Sequence, residues 1–154
     1  MPERQTLERA RRDAREGKAP STQAGEFVRE EMEHIREGKH GARSTKQAIA
    51  IGLSKARRAG VKLPAPKGAE ASPRARKQAK RDVRRGSSAK PSAKRSRATL
   101  RALKKEGRSA ASHWALATQA KRAARKRSAG ARSEQAKRAA RTRRANRSSN
   151  GRSR

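Results

Sequence analysis

The chain has 154 residues and a formal net charge of +32, because 45 residues are lysine or arginine and only 13 are acidic. Hydrophobic residues make up 31% of the sequence, which is too little to offset the ordering entropy of the whole chain. The absence of cysteine excludes disulfides and thiolate metal sites. With no apolar signal segment and no run of membrane-spanning length, we expect a cytoplasmic protein.

Charge is segregated along the chain. Residues 1–40 contain nine acidic and nine basic residues, which cancel. The remaining residues hold 36 basic and 4 acidic residues, so the whole net charge lies after His40. This asymmetry predicts a neutral scaffold followed by a cationic region that binds a polyanion, of which nucleic acid is the most abundant.

The N-terminal segment, residues 1–20, is predicted to be one charged helix over residues 3–16. Gly17 ends it and Pro20 prevents its continuation. A helix-loop-helix unit follows over residues 21–63. Its first helix is expected to begin near Ser21 or Thr22 as an N-cap and to run to Gly38.

The second helix of this unit has the clearest start signal in the chain. Ser44 and Gln47 fit the capping box, in which a serine and a glutamine three residues on satisfy the first free amides. Gly60 is placed for a left-handed C-cap, with Val61 after it. Gly52 lies within the apolar spacing, so we expect the two helices of the unit to pack closely there.

Residues 64–72 are predicted to be a linker, and residues 73–154 an Ala/Lys/Arg-rich basic tail. Ser72-Pro73 is a helix start and Gly86 a stop, while Gly130 is expected to separate two further short helices. Because like charges repel at helical spacing, the tail is expected to be largely disordered or marginally helical. The predicted fold class is therefore all-α: a small N-terminal unit of two to three helices, followed by this long tail.

The predicted nucleic-acid contacts follow from this distribution of charge. The free amides at the start of the helix after Gly38–Gly41, and its dipole, favour an anion. Basic residues flank that start and continue along the helix, and further ones recur in the tail. The expected contact residues are Lys39, His40, Arg43, Ser44, Thr45, Lys46, Lys55, Arg57, Arg58, Lys62, Lys121, Arg122, Arg125, Lys126, Arg127, Lys137, Arg138 and Arg141. Base-specific readout is not expected, because small and apolar residues occupy the helix where Asn, Gln or Arg would be needed.

Other kinds of site lack support in the sequence. His34, His40 and His113 are scattered, so no metal site is predicted. Neither a nucleophile motif nor a pair of carboxylates in an apolar setting is present, so no enzyme activity, cofactor or small-molecule substrate is expected. Trp114 is expected to pack against nearby leucines rather than to stack on a base.

The stretch GEFVREEMEHIREGKHGARSTKQAIAIGLSKARRAGVKLPAP, residues 25–66, resembles a family of small basic bacterial proteins. Most members are uncharacterised, and some are labelled plasmid-stabilisation or DNA-binding-like proteins. Residues 94–128 are similar to the tail of longer members, and the tail also resembles the Ala/Lys/Arg tails of linker histones and bacterial histone-like proteins. The resemblance implies no catalytic residues.

The leading functional hypothesis is a nucleoid-associated, DNA-compacting protein that binds DNA without sequence specificity by neutralising phosphates. The second is an RNA- or ribosome-binding protein, which would have the same composition. The third is a protein-interaction module that docks a partner on the acidic face of the helix carrying Glu30, Glu31, Glu33 and Glu37. The sequence leaves the oligomeric state open.

Overall fold

The structure is a computed structural model that describes residues 2–66, 72–86 and 92–150. Within these ranges the regular structure is entirely helical. The helices are α1 (Arg4–Arg15), α2 (Pro20–Arg36), α3 (Thr45–Arg58), α4 (Pro73–Arg85), α5 (Ala93–Lys104), a 3₁₀ turn (Ser109–Ala111), α6 (His113–Arg125) and α7 (Ala129–Asn150). The chain divides into two compact units, residues 1–116 and 117–154. The all-α prediction is confirmed for the described residues.

The first two helices begin and end close to where the sequence predicted. Gly17 follows α1 with φ +69°, the left-handed conformation that a glycine adopts without strain. The start of α2 was predicted slightly wrongly: the N-cap is Ala19, and Pro20 occupies the first turn. A proline fits there because its missing N–H would have had no partner in the helix.

The capping predictions for α3 are confirmed. The Ser44 hydroxyl accepts a hydrogen bond from the Gln47 amide at 3.2 Å, and the Gln47 side chain accepts one from the Arg43 amide at 2.9 Å. Gly60 has φ +95°, and the Val61 amide donates to the Ala56 carbonyl at 3.1 Å, which is the Schellman ending. Both ends of α3 are thus set by local sequence.

Helices α2 and α3 come close together at Gly52. A methyl group on Gly52 would lie 2.7 Å from the Val28 Cα atom and 3.0 Å from the Phe27 carbonyl oxygen, closer than such atoms normally come. Two small apolar clusters fill the unit, one around Met32 and Ile35 and one around Phe27. Most of the other buried members are alanines, so the packing depends on short distances between backbones rather than on large side chains.

The expectation of a largely disordered or marginally helical tail is wrong. Helices α4, α5, α6 and α7 occupy residues 73–85, 93–104, 113–125 and 129–150. Alanine, arginine, lysine and glutamine have the highest helix propensities, and each like-charge pair costs only about 0.2–0.5 kcal/mol. Serine caps add to this: Ser72 accepts from the Ala75 amide and Ser128 from the Ala131 amide, each at 3.2 Å.

Parts of the predicted tail also dock on the N-terminal helices. On α4, Ala79 and Asp82 are buried, and the Ser54 hydroxyl of α3 donates to the Asp82 carboxylate at 2.7 Å. Gly86 ends α4, as predicted. The expected break between two further helices is present, but it lies just before Gly130: α6 ends at Arg125, and the Ser128 cap starts α7 at Ala129, so Gly130 lies inside that helix. The predicted linker, residues 64–72, includes residues 67–71, which lie outside the described part of the chain.

The segment between α5 and α6 is held mainly through its backbone carbonyls. The Gly41 amide donates to Leu103 at 2.9 Å and the Ala42 amide to Gly107 at 3.0 Å. The Thr45 hydroxyl and the Arg36 guanidinium donate to the carbonyls of Ala110 and Ala111, at 2.7 and 2.9 Å. Ala110 and Ala111 are themselves buried in the Met32–Ile35 cluster, so residues 103–111 complete the N-terminal core.

Candidate nucleic-acid interface

The predicted contact residues around the start of α3 separate into exposed and buried groups. Arg43 and Lys46 are exposed on either side of the Ser44 cap. Two predicted contacts that were expected to assist these cations are buried instead. Thr45 is buried against the Ala110 carbonyl, and the buried His40 has its Nε2 atom 3.3 Å from the Glu31 carboxylate. A phosphate at this helix start would therefore meet the two cations and not these two polar groups.

Three other predicted contacts already have partners within the protein. Lys39 forms ion pairs with Glu3 and Glu37 at 3.1 and 2.9 Å, and these hydrogen bonds, first that to Glu37, raise the pKa of the Lys39 ammonium. Lys55 pairs with two buried glutamates, as described below.

Arg57 is buried near the C-terminus of α3 and donates to the carbonyls of Leu63 and Pro64. Burial lowers the pKa of Arg57 because it removes the guanidinium from water. By contrast, Arg58 and Lys62 at the same end of α3 are exposed.

The predicted contacts in the second unit all face solvent. On α6 and just after it these are Lys121, Arg122, Arg125, Lys126 and Arg127. On α7 they are Lys137, Arg138 and Arg141. Every described side chain from Ala129 onward is exposed, so α7 has no buried face and carries its arginines and lysines in water.

The distribution of ion pairs distinguishes the two parts of the chain. Twelve ion pairs in the described residues join partners between Glu3 and Lys55. Among the described residues beyond Lys55 there is one, between Lys137 and Glu134 at 3.0 Å. The N-terminal helices thus neutralise their own charges, whereas the cations that follow have almost no acids to pair with.

Two features of the surface were not predicted from the sequence. Trp114 is 78% exposed at the start of α6, so the expectation that it packs against leucines is wrong. Leu116, two residues later, packs against the Met32–Ile35 cluster instead. In addition, Arg76, Lys77 and Lys80 line a shallow depression with Pro66 and Pro73; their charge was visible in the sequence, but the docking of α4 on α3 was not.

A group of buried charged side chains lies between α1, α2 and α3. Glu30 and Glu31 are almost fully buried, and the Lys55 ammonium lies 3.2 Å from Glu30 and 2.7 Å from Glu31. Burial by itself would raise the pKa of Glu30, but the Glu3 amide, the Thr6 hydroxyl and Lys55 together hold that pKa below its usual value. Glu30 is therefore a charged carboxylate with a complete set of partners.

Glu31 is less well satisfied. Neither of its carboxylate oxygens accepts a hydrogen bond of good geometry, although Lys55 and His40 lie at ion-pairing distance. One oxygen of Glu31 and one ring nitrogen from each of His34 and His40 lie within 4.8 Å of one another. Both kinds of atom are common ligands of divalent metals. This grouping was not predicted from the sequence, because His40 lies beyond the end of α2.

Comparison with known proteins adds little about activity. Residues 5–67 are similar to a family of unknown function, DUF6496. No curated protein and no solved structure shows significant similarity to the chain. Among the described residues, no helix combines the length and hydrophobicity that crossing a membrane requires.

Proposed function

We propose that the protein binds nucleic acid by neutralising phosphates, without reading base sequence, and that its main ligand is the duplex DNA of the nucleoid. The observation that carries this proposal is the distribution of ion pairs. Most lysines and arginines from Arg4 to Lys55 are paired with acids inside the chain, whereas the described ones beyond Lys55, apart from the buried Arg57 and the half-buried Arg76, face solvent with a single ion pair among them. Such cations gain most from a polyanion, because binding releases the counterions condensed on it.

The dimensions of α7 suit a duplex. Its 22 residues give a length of about 33 Å at about 1.5 Å per residue, close to one turn of DNA. Its arginines and lysines are spread around most of the helix, so it can face a phosphate backbone in many orientations. Cations on the far side then remain available to a second duplex, and bridging two duplexes is a route to compaction.

Trp114 adds a second means of contact. Its indole ring is 78% exposed, and base–aromatic stacking is worth about 1–3 kcal/mol per base. Stacking of this kind is tolerant of sequence, since every base offers a π-face. It requires an unpaired or partly unstacked base, so Trp114 is expected to contribute more to single-stranded than to duplex binding.

The experiment that tests the proposal is a fluorescence-anisotropy titration of labelled duplexes of unrelated sequence, at salt concentrations from about 50 to 200 mM. We expect similar affinities for all sequences and a steep loss with salt, with a slope of about −0.9 for each phosphate contacted. A flat salt dependence, or a strong preference for one sequence, would contradict the proposal.

A pair of matched variants locates the contacts. Arg138→Gln with Arg141→Gln removes two exposed charges from α7, and we expect the slope to become shallower by up to about two. Arg4→Gln with Arg29→Gln removes two exposed charges that are each paired with a glutamate four residues on. The second variant should leave the slope nearly unchanged. Equal effects of the two variants would show that binding is not located on the tail helices.

The alternative ligand is RNA, which the same cations would bind. A competition between duplex DNA and structured RNA at equal nucleotide concentration separates the two, and a preference for RNA of about tenfold, or about 1.4 kcal/mol, would make RNA the ligand. The protein-interaction alternative has less support, because the carboxylates suggested for docking have partners inside the chain. Glu30 and Glu31 are buried, Glu33 pairs with Arg29, and Glu37 pairs with Lys39.

A further inference from the structure

We propose that Glu31, His34 and His40 form a binding site for a divalent transition metal, with Zn²⁺ as the expected ion. This inference concerns the N-terminal helices and does not depend on the proposed nucleic-acid binding. The three side chains come from one turn of α2 and from the loop before α3, and one potential ligand atom of each lies within 4.8 Å of the others.

The donor set and its spacing fit Zn²⁺. Imidazole nitrogen and carboxylate oxygen both bind this ion at about 2.0–2.2 Å, so two tetrahedral ligands lie about 3.3–3.5 Å apart. The separation of His40 Nε2 and Glu31 Oε1 is 3.3 Å. The rings of His34 and His40 are perpendicular, with their centres 6.0 Å apart, so they are not stacked on each other.

The burial of Glu31 is an independent observation that points to a ligand. Its side chain is only 1% exposed, yet neither oxygen accepts a well-formed hydrogen bond. A buried carboxylate left without such bonds is costly. The Lys55 ammonium lies 2.7 Å from Oε2 of Glu31 and offsets part of the cost of burying that oxygen. Oε1 faces His40, and a metal ion bound between them would compensate the other.

The other contact of each imidazole also fits a metal site. Glu3 Oε1 lies 2.7 Å from His34 Nε2, and a carboxylate in this position orients an imidazole whose other nitrogen binds a metal. His40 is held in turn by the carbonyl of Gly41, 3.1 Å from Nδ1, which leaves Nε2 toward Glu31. Each imidazole thus has one nitrogen occupied by an oxygen of the protein.

A metal here would lock a specific part of the fold. His40 precedes Gly41 and Ala42, whose amides hold the carbonyls of Leu103 and Gly107. Fixing His40 to α2 would therefore strengthen the docking of residues 103–111. This provides a readout other than affinity, namely slower hydrogen exchange of the Gly41 and Ala42 amides when Zn²⁺ is added.

The test is a titration of the full-length protein with Zn²⁺, in competition with a chromogenic chelator, and with Co²⁺ as a spectroscopic probe, at about 0.15 M salt. We expect one saturable ion per chain, a Co²⁺ absorption spectrum typical of low coordination number, and protection of the Gly41 and Ala42 amides. Failure to find one-to-one binding, or binding without that protection, would overturn the proposal.

Variants identify the ligands. His34→Gln and His40→Gln should each weaken Zn²⁺ binding by about tenfold or more. His113→Gln is the matched control, because His113 is exposed on α6 and outside the cluster, and it should leave the affinity unchanged. If His40→Gln fails to fold by circular dichroism, the less buried His34→Gln decides the outcome. Undiminished binding in His34→Gln, or an equal loss in His113→Gln, would overturn the assignment.

Discussion

Substitution of Gly52 by alanine tests the close approach of α2 and α3. A methyl group at this position would lie 2.7 Å from Val28 Cα and 3.0 Å from the Phe27 carbonyl oxygen. Both are backbone atoms, so no side-chain rotation relieves the overlap and α2 and α3 must move apart. Overpacking of this kind costs about 1–3 kcal/mol, and backbone contact places it toward the upper value.

The same substitution also has a favourable effect that must be subtracted. Alanine is better than glycine in a helix interior by about 1 kcal/mol. We therefore expect Gly52→Ala to lower the free energy of unfolding by about 2 kcal/mol. The measurement is urea unfolding followed by circular dichroism at fixed salt, because a charged denaturant would also screen the polycation.

Gly25 provides the matched control for this experiment. It lies inside α2, and nothing comes within 4 Å of the position that its methyl group would occupy. Gly25→Ala should therefore show the helix propensity alone and raise the free energy of unfolding by about 0.5–1 kcal/mol. If Gly52→Ala were stabilised by as much as Gly25→Ala, the close approach of α2 to α3 at Gly52 would be refuted.

Two further predictions concern the buried charges and the docked segment. Glu30→Gln should lower the free energy of unfolding near neutral pH by about 1.5–3 kcal/mol, since it removes the charge from a buried hydrogen-bonded carboxylate, while Lys55 keeps its ion pair with Glu31. Because the pKa of Glu30 is lowered by folding, its contribution is complete above about pH 4.3 and is lost as the pH falls through the folded-state pKa, so wild type and variant should converge in acid. Gly41→Ala would place a methyl group against the Glu106 carbonyl and should speed hydrogen exchange in residues 103–111. Gly107→Ala, where the methyl group meets nothing within 4 Å, should not; equal effects would argue against the docking.

Local signals in the sequence predicted local structure well. The Ser44–Gln47 cap and the Gly60 ending were read from the chemistry of free amides and left-handed glycine, and both are present. The closeness at Gly52 followed from its place in an apolar repeat. These features depend on residues a few positions apart, so the sequence contains nearly all the information that determines them.

Features that depend on distant residues were not predictable in the same way. Nothing near Ser54 indicates that Asp82 lies against it, and nothing near Thr45 indicates the Ala110 carbonyl. The tail was expected to lack stable structure because the repulsion between its like charges was given more weight than its helix signals, and because these long-range contacts cannot be seen in the sequence. For the same reason His40 was assigned to the surface, although it is buried with Glu31.

The segment between α5 and α6 is fastened by main-chain oxygens, and every residue has one. Substitution of Leu103 or Gly107 by another residue would leave their carbonyl hydrogen bonds possible, while Ala110 and Ala111 are limited to small residues by their burial. Many substitutions in this segment should therefore leave its position in the fold unchanged. Because backbone atoms attach it, this attachment leaves little trace in the pattern of side chains. The similarity to DUF6496 ends at residue 67, whereas the first compact unit extends to residue 116.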